Sequence, residues 1–264
     1  MTEKNNFDQR QDLCEEKKWH EQSFYLDSGH WTSHPLFASR ERHWLHNDLQ
    51  TLRFYNELFN YIKMKPYRNN ANILLAPVGN GKNFFYLQGV FKSIQEIHGI
   101  DISPICLAAC PKAIVAKEAD ILFSGYEDQS FDVIVCSQFL HHVHEVGFDP
   151  FINEFYRLLH KGGTLAILEP SSLYPFGWVT ALARRVMGNV TGLVEGERPV
   201  SPRLLTDSLM RAGFEKIRLR GLVFTHVRFP SLVQHMIDAV DYPFRRLSPF
   251  RLFANSIGWF CTKL

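Results

Sequence analysis

Long apolar runs are missing from this chain. Nowhere do its residues approach the about 20 consecutive apolar positions that a bilayer-spanning helix needs, and the polar, charged opening stretch has no apolar core of a secretory leader. Both absences predict a cytoplasmic location without a transmembrane segment. Charge of one sign is scarce as well. The 29 basic and 27 acidic residues leave a formal net charge of +2, too little for the basic surface of a dedicated nucleic-acid binder. Small molecules are therefore the expected partners, and DNA is not. The five cysteines (Cys14, Cys106, Cys110, Cys136, Cys261) form an odd set without CxxC spacing. Three of them sit in apolar segments, so reduced, buried thiols are expected, with no disulfide framework and no metal site.

The content that remains is that of a folded domain. Hydrophobic residues make up 45% and charged residues 21% of 264 positions, enough to fill one sizeable α/β core. Residues 1–70 read as an N-terminal arm and helical lid. Within them, Trp44, Leu45, Leu49, Leu52, Tyr55, Leu58, Phe59 and Ile62 recur at helical spacing between residues 39 and 64, and Pro66 ends that helix. The aromatic and hydrogen-bonding stretch from His30 to Trp44 has the make-up of a cover over a site. Residues 71–264 read as the main domain, with a basic and aromatic insertion at about 226–255 before a last strand at 257–262. The insertion's apolar residues recur at helical spacing, which suits an acceptor pocket, a membrane surface, a homodimer contact or simple packing.

Between residues 73 and 168 strand-like and helix-like segments alternate, which predicts a mostly parallel sheet. The segments 97–100, 133–136 and 165–168 are apolar without polar alternation, as when helices cover both faces. Lys161-Gly162-Gly163 reads as a tight turn leading into the last of them. The first strand, Ile73-Leu74-Leu75-Ala76, stops at Pro77-Val78-Gly79-Asn80-Gly81, and the next apolar run ends in Asp101 about twenty residues on, the layout of a nucleotide-binding β-α-β unit. A third glycine is lacking, as is a Tyr-x-x-x-Lys pair, which counts against a nicotinamide dehydrogenase. The spacer and Lys-Ser/Thr pair of a phosphate-binding P-loop are lacking too.

Four landmarks in order resemble the class I S-adenosylmethionine-dependent methyltransferases. Residues 73–81 resemble the family's first motif, and Gly99-Ile100-Asp101-Ile102-Ser103-Pro104 its ribose-binding strand end. Ala119-Asp120-Ile121 precedes Ser130-Phe131-Asp132-Val133-Ile134 at the family's spacing. Leu140-His141-His142-Val143 and Leu158-Leu159-His160-Lys161-Gly162-Gly163-Thr164-Leu165 match the segments after the fourth strand and before the fifth. The resemblance covers residues 73–213. It implies a Rossmann-like, doubly wound α/β fold with a seven-stranded, mostly parallel sheet whose last strand is antiparallel. It also implies S-adenosyl-L-methionine as cofactor, held by Pro77, Gly79, Gly81, Asp101, Ile102, Asp120, Ile121 and Ser137. The chain departs from the family at Leu75, where an acid is usual, and at Pro77, where a glycine is usual. Those departures raise a non-catalytic cofactor-binding or interaction protein as the alternative to a transferase.

Ligands of open α/β sheets sit beyond the carboxyl ends of the strands, so Ser137, Gln138, His141, His142 and His144 after the fourth strand and Glu169 after the fifth are placed to meet an acceptor. A neutral hydroxyl is a poor nucleophile, and a histidine base held by a carboxylate suits its methylation. His142 and His141, ahead of His144, are the expected bases, with Glu169 as their partner. Asp132, at the opposite end of its strand, is expected to be structural. The Asn/Asp-Pro-Pro-aromatic segment of nucleic-acid amino-methyltransferases is absent.

Overall fold

The computed structural model describes residues 40–177, 179, 198–226 and 229–264, the first eight of them by backbone alone. The arm from residue 1 to 39, including the cover expected around His30, lies outside the described residues. Strands β1 (Ala71–Leu75), β2 (Ile94–Asp101), β3 (Ile114–Glu118), β4 (Phe131–Ser137), β5 (Leu159–Pro170), β6 (Phe214–Val223) and β7 (Ser256–Lys263) form one sheet in the order β3-β2-β1-β4-β5-β7-β6. Pairing is parallel except for β7, which runs antiparallel between β5 and β6. The order reverses where β1 lies between β2 and β4, the switch point at which a doubly wound sheet opens a crevice.

Side chains alternate along each strand between two cores. Leu74, Ile134, Cys136, Leu165, Ile167 and Trp259 point into one. There they meet helices α4 (Asp149–Leu158) and α5 (Pro202–Arg211) through Phe151, Phe155, Leu205 and Leu209. Ile73, Leu75, Val133, Val135, Ala166 and Phe260 point into the other, against α1 (Arg40–Ile62) and α2 (Asn83–Val90), while the short α3 (Pro104–Ala108) follows β2. Helix α1 matches the expected span, and Phe54, Tyr55, Leu58 and Ile62 on its inner face share this second core, with Phe54 stacked on Phe260 at 5.3 Å. In the N-terminal half of α1, Asp48 pairs with Lys82 at the start of α2, beside the carboxyl end of β1. At the other end the Tyr61 hydroxyl lies 2.9 Å from Thr262 Oγ1, near the amino end of β5. The helix therefore crosses the sheet, with its N-terminal half on the side where the crevice opens.

The expected turn at residues 161–163 is corrected by the structure, which carries these residues inside β5 as a bulge. Phe131 pairs with Leu159 and Val133 with Thr164, so the intervening residues of β5 face Asp132 alone. Gly162 takes φ of +80° to allow this, and a Cβ on Gly163 would stand 3.0 Å from the Asp132 carbonyl oxygen. Asp132 itself accepts the Asn72 N–H at 2.9 Å, pinning the start of β1 at the edge away from the crevice. Cys106, Cys110, Cys136 and Cys261 are free thiols.

Candidate active site

The loop after β1 is built around Gly79. Its φ of +53° is left-handed, and a Cβ placed there would meet no atom within 4 Å, so the residue faces open space. Its N–H donates to Asp101 Oδ2 at 2.8 Å, and its carbonyl accepts from Cys110 Sγ at 3.3 Å. Burial first, and then the Asp101 carboxylate, push the Cys110 thiol up to about 11, so it remains a neutral donor. Gly81 has a different reason to be glycine. A Cβ there would stand 2.5 Å from Pro111 Cδ and 2.9 Å from Ile114 Cδ1, so it packs the turn against the end of the next β-α-β unit. Pro77 is half-buried between Ala76, whose N–H reaches the Val135 carbonyl, and Val78, whose N–H reaches the Ile100 carbonyl.

Asp101 ends β2 and is buried, and its Oδ1 accepts the Ser103 N–H at 3.0 Å. The Ala119 N–H donates to the Asp101 carbonyl at 3.1 Å, which sets Asp120 beside it. Asp120 is also buried and caps the short 3-10 helix Ile121–Phe123 by accepting the Leu122 N–H at 3.0 Å. Ile102 and Ile121 are buried next to these two acids. The glycine opening, the two acids and the two isoleucines form one side of the crevice.

Its other side is organised by Glu169, at the end of β5 and 0% exposed. Oε1 accepts the Phe139 and Leu140 N–H groups at 2.8 and 2.7 Å, while Oε2 lies 2.7 Å from His141 Nδ1. A buried carboxylate is costly without such donors, and each charge-assisted bond offsets roughly 1.5–3 kcal/mol. Because a carboxylate oxygen accepts, Nδ1 is the donor and carries a proton. His142 does not receive the carboxylate; its ring is tilted against His141, with centroids 4.0 Å apart. His144 packs edge-on against Phe148 at 5.4 Å, and burial lowers its pKa, opposed by the Pro199 carbonyl and helped by the Arg198 charge. Burial and the Glu169 charge push the Cys136 thiol well up, which keeps it inert.

Sequence reasoning passed over Gln138 as a backbone element. It takes φ of +56°, uncommon for a residue with a Cβ, and its N–H donates to the Leu168 carbonyl at 2.8 Å. The kink turns the chain after the half-buried Ser137 so that Phe139 and Leu140 present their N–H groups to Glu169. No local signal marks it, because the partner carbonyl is thirty residues away. A groove lined by Phe84, Gln88, Phe91, Lys92, Ile94 and Ala113 lies along α2 and shares none of these site residues. Among the described residues no group of three or more histidine, cysteine or acidic side chains is placed to hold a metal, and no helix is long and apolar enough to cross a membrane.

Residues 76–167 match a family model described as a methyltransferase domain. Among solved structures, a SAM-dependent methyltransferase of Thermotoga maritima is similar with a TM-score of 0.57 and 18% identity, over 81% of this chain and 91% of that one. An S-adenosylmethionine-dependent methyltransferase of Listeria monocytogenes gives 0.55 and 17%, over 83% and 100%. The phosphoethanolamine N-methyltransferase 2 of Haemonchus contortus, in complex with phosphomonomethylethanolamine and S-adenosylhomocysteine, gives 0.56 and 14%, over 94% and 59%. Among curated proteins none matches.

Proposed function

We propose that the chain, whose residues 76–167 match a methyltransferase domain on a shared fold, is an S-adenosylmethionine-dependent methyltransferase that methylates a small-molecule acceptor at a hydroxyl, with His141 as general base. The crevice fits the cofactor: open space in front of Gly79 is where a ligand backbone would pass, and buried acids stand at the tips that meet a ribose and an adenine edge. When bound, S-adenosylmethionine supplies an activated methyl group on a sulfonium. In this reading Asp101 receives the ribose hydroxyls, Asp120 the adenine amine, and Ile102 and Ile121 flank the base. Gly79, Pro77 and Ser137 border the methionine end, and Gly81 keeps their turn in place.

The observation that carries the catalytic part is the bond from Glu169 to His141. It puts a proton on Nδ1 and orients the ring, and in this reading Nε2 takes the acceptor's proton, a contribution of about 10²–10⁴ in rate. Glu169 acts through the imidazole and is a positioning residue. Because the carboxylate bonds His141, in this reading His141 is the base ahead of His142, the first expectation, and His142 has the role of a neighbour that restricts the ring. Leu75, fully buried in the second core, offers no charge to the cofactor's ammonium, and this favours the rival reading of a non-catalytic cofactor-binding protein.

Calorimetry with S-adenosylhomocysteine and a methyl-transfer assay over sugars, phenols and amines separate the two. Binding with transfer to hydroxyl acceptors supports the proposal, and transfer only to amines removes the hydroxyl assignment. Binding without transfer favours the rival, and the absence of binding sinks both.

A further inference from the structure

Helix α6 (Ser231–Val240), within the expected insertion, is built inside out. Its inward positions are polar: Gln234 is 0% exposed, and Asp238 and Asp241 are turned toward Arg53 of α1. Its outward stripe is apolar, with Leu232 71%, Met236 63% and Val240 62% exposed. Positions spaced by four fall on one face, so the stripe is continuous. The chain beyond adds exposed Tyr242, Phe244, Leu247 and Phe250, and the rings of Phe244 and Phe250 touch edge-on at 5.5 Å. An apolar surface of this extent on a folded chain marks a contact with something apolar.

The polar side shows why the helix sits this way round. Arg53 Nη1 binds Asp241 Oδ2 at 2.7 Å, Arg245 Nε lies 3.0 Å from Asp241 Oδ1, and Glu57 takes Arg246 at 2.7 Å and Arg220 at 3.2 Å. Four guanidiniums thus face three carboxylates, and half-buried Arg251 adds another positive charge. Both acids of the segment are spent in this network, so the exposed positions from 231 to 253 include no carboxylate. The surface is apolar outside and positive beneath.

The geometry points to a membrane-binding face: α6 and the chain through Phe253 lie in the headgroup layer of an anionic bilayer. Leucine, methionine and phenylalanine side chains enter the acyl boundary, and the arginines beneath meet lipid phosphates. Charge favours lipid over a second copy of this chain, because a self-complementary contact would oppose two positive bases. The inference is independent of the catalytic reading and needs no acceptor.

The test mixes the full chain with vesicles of phosphatidylcholine and phosphatidylglycerol in equal parts, or of phosphatidylcholine alone, and sediments them. The expected result is co-sedimentation with the anionic vesicles, weaker on the neutral ones and at high salt. The Met236→Asp/Leu247→Asp double variant should retain roughly a tenth or less of the binding, with its S-adenosylhomocysteine affinity and circular dichroism unchanged. Leu232→Asp, at the most exposed of the three stripe positions, gives the same reading should the double variant not fold. A wild-type chain that stays in the supernatant with both vesicles overturns the inference, as does a folded variant that binds as well as wild type. A wild-type dimer that the substitutions convert to monomer, without vesicle binding, assigns the face to a second copy instead.

Discussion

Glu169 and His141 meet at 2.7 Å, Oε2 to Nδ1, while Oε1 of the same carboxylate holds two backbone N–H groups of the loop that carries the histidine. One side chain thus fixes both the position and the tautomer of the proposed base. Glu169→Gln separates these roles. The amide oxygen must stay where two N–H groups converge, so the NH₂ is forced toward Nδ1, which must then accept, and the proton moves to Nε2. The loop is retained and the base is blocked. Turnover should fall by about 10²–10⁴ with S-adenosylhomocysteine affinity nearly unchanged, His141→Ala should fall as far, and the double variant should add little. Steady-state kinetics with calorimetry check this. An equal loss of affinity and turnover would assign Glu169 and His141 to structure.

Gly79 and Gly81 make opposite predictions although they are two residues apart. Alanine at 79 meets no neighbour, so the fold loses only the roughly 1–2 kcal/mol of a left-handed alanine, while its methyl projects into the space proposed for the cofactor. Alanine at 81 must displace Pro111 and Ile114, approached to 2.5 and 2.9 Å, at a cost of about 1–3 kcal/mol beyond the backbone strain. Thermal melts and ligand titration should therefore show Gly79→Ala as a binding defect and Gly81→Ala as a stability defect.

The pH dependence of stability should carry the mark of His144. Burial holds its folded pKa below the usual histidine value, so the unfolded chain takes up this proton more readily. Its contribution is complete above about pH 6.5, the unfolded value, and is lost as pH falls toward the lowered folded value. Tm should decline across that window, and His144→Gln should flatten the decline. Melts in buffers on either side of it are the measurement.

Much of the fold was legible because strand and helix periodicity are local. The helix expected over residues 39–64 appears as Arg40–Ile62, and Asp101 ends its strand as expected. What the sequence hid depends on distant pairing. The β5 bulge exists because Asp132 of β4 has no counterpart, which only the register between two strands reveals. Periodicity shows that α6 has two unlike faces but not which one turns inward; Arg53, far back in α1, decides that. That Glu169 meets His141 rather than His142 depends likewise on a loop whose kink at Gln138 is tied to Leu168. Gly79 and Gly81 looked alike in sequence, and only the neighbours brought by other elements distinguish a glycine that faces open space from one in a packing contact.

The placement of β7 bears on how the molecule comes into being. Among the described residues β6 bonds to no strand but β7, which joins it to β5. A nascent polypeptide leaving the ribosome can therefore assemble the first five strands early, yet β6 must wait, unmoored, until residue 263 has emerged. Chaperones would meet a half-finished sheet with an open edge at β5, and a premature stop anywhere in the last strand would strand β6 for good.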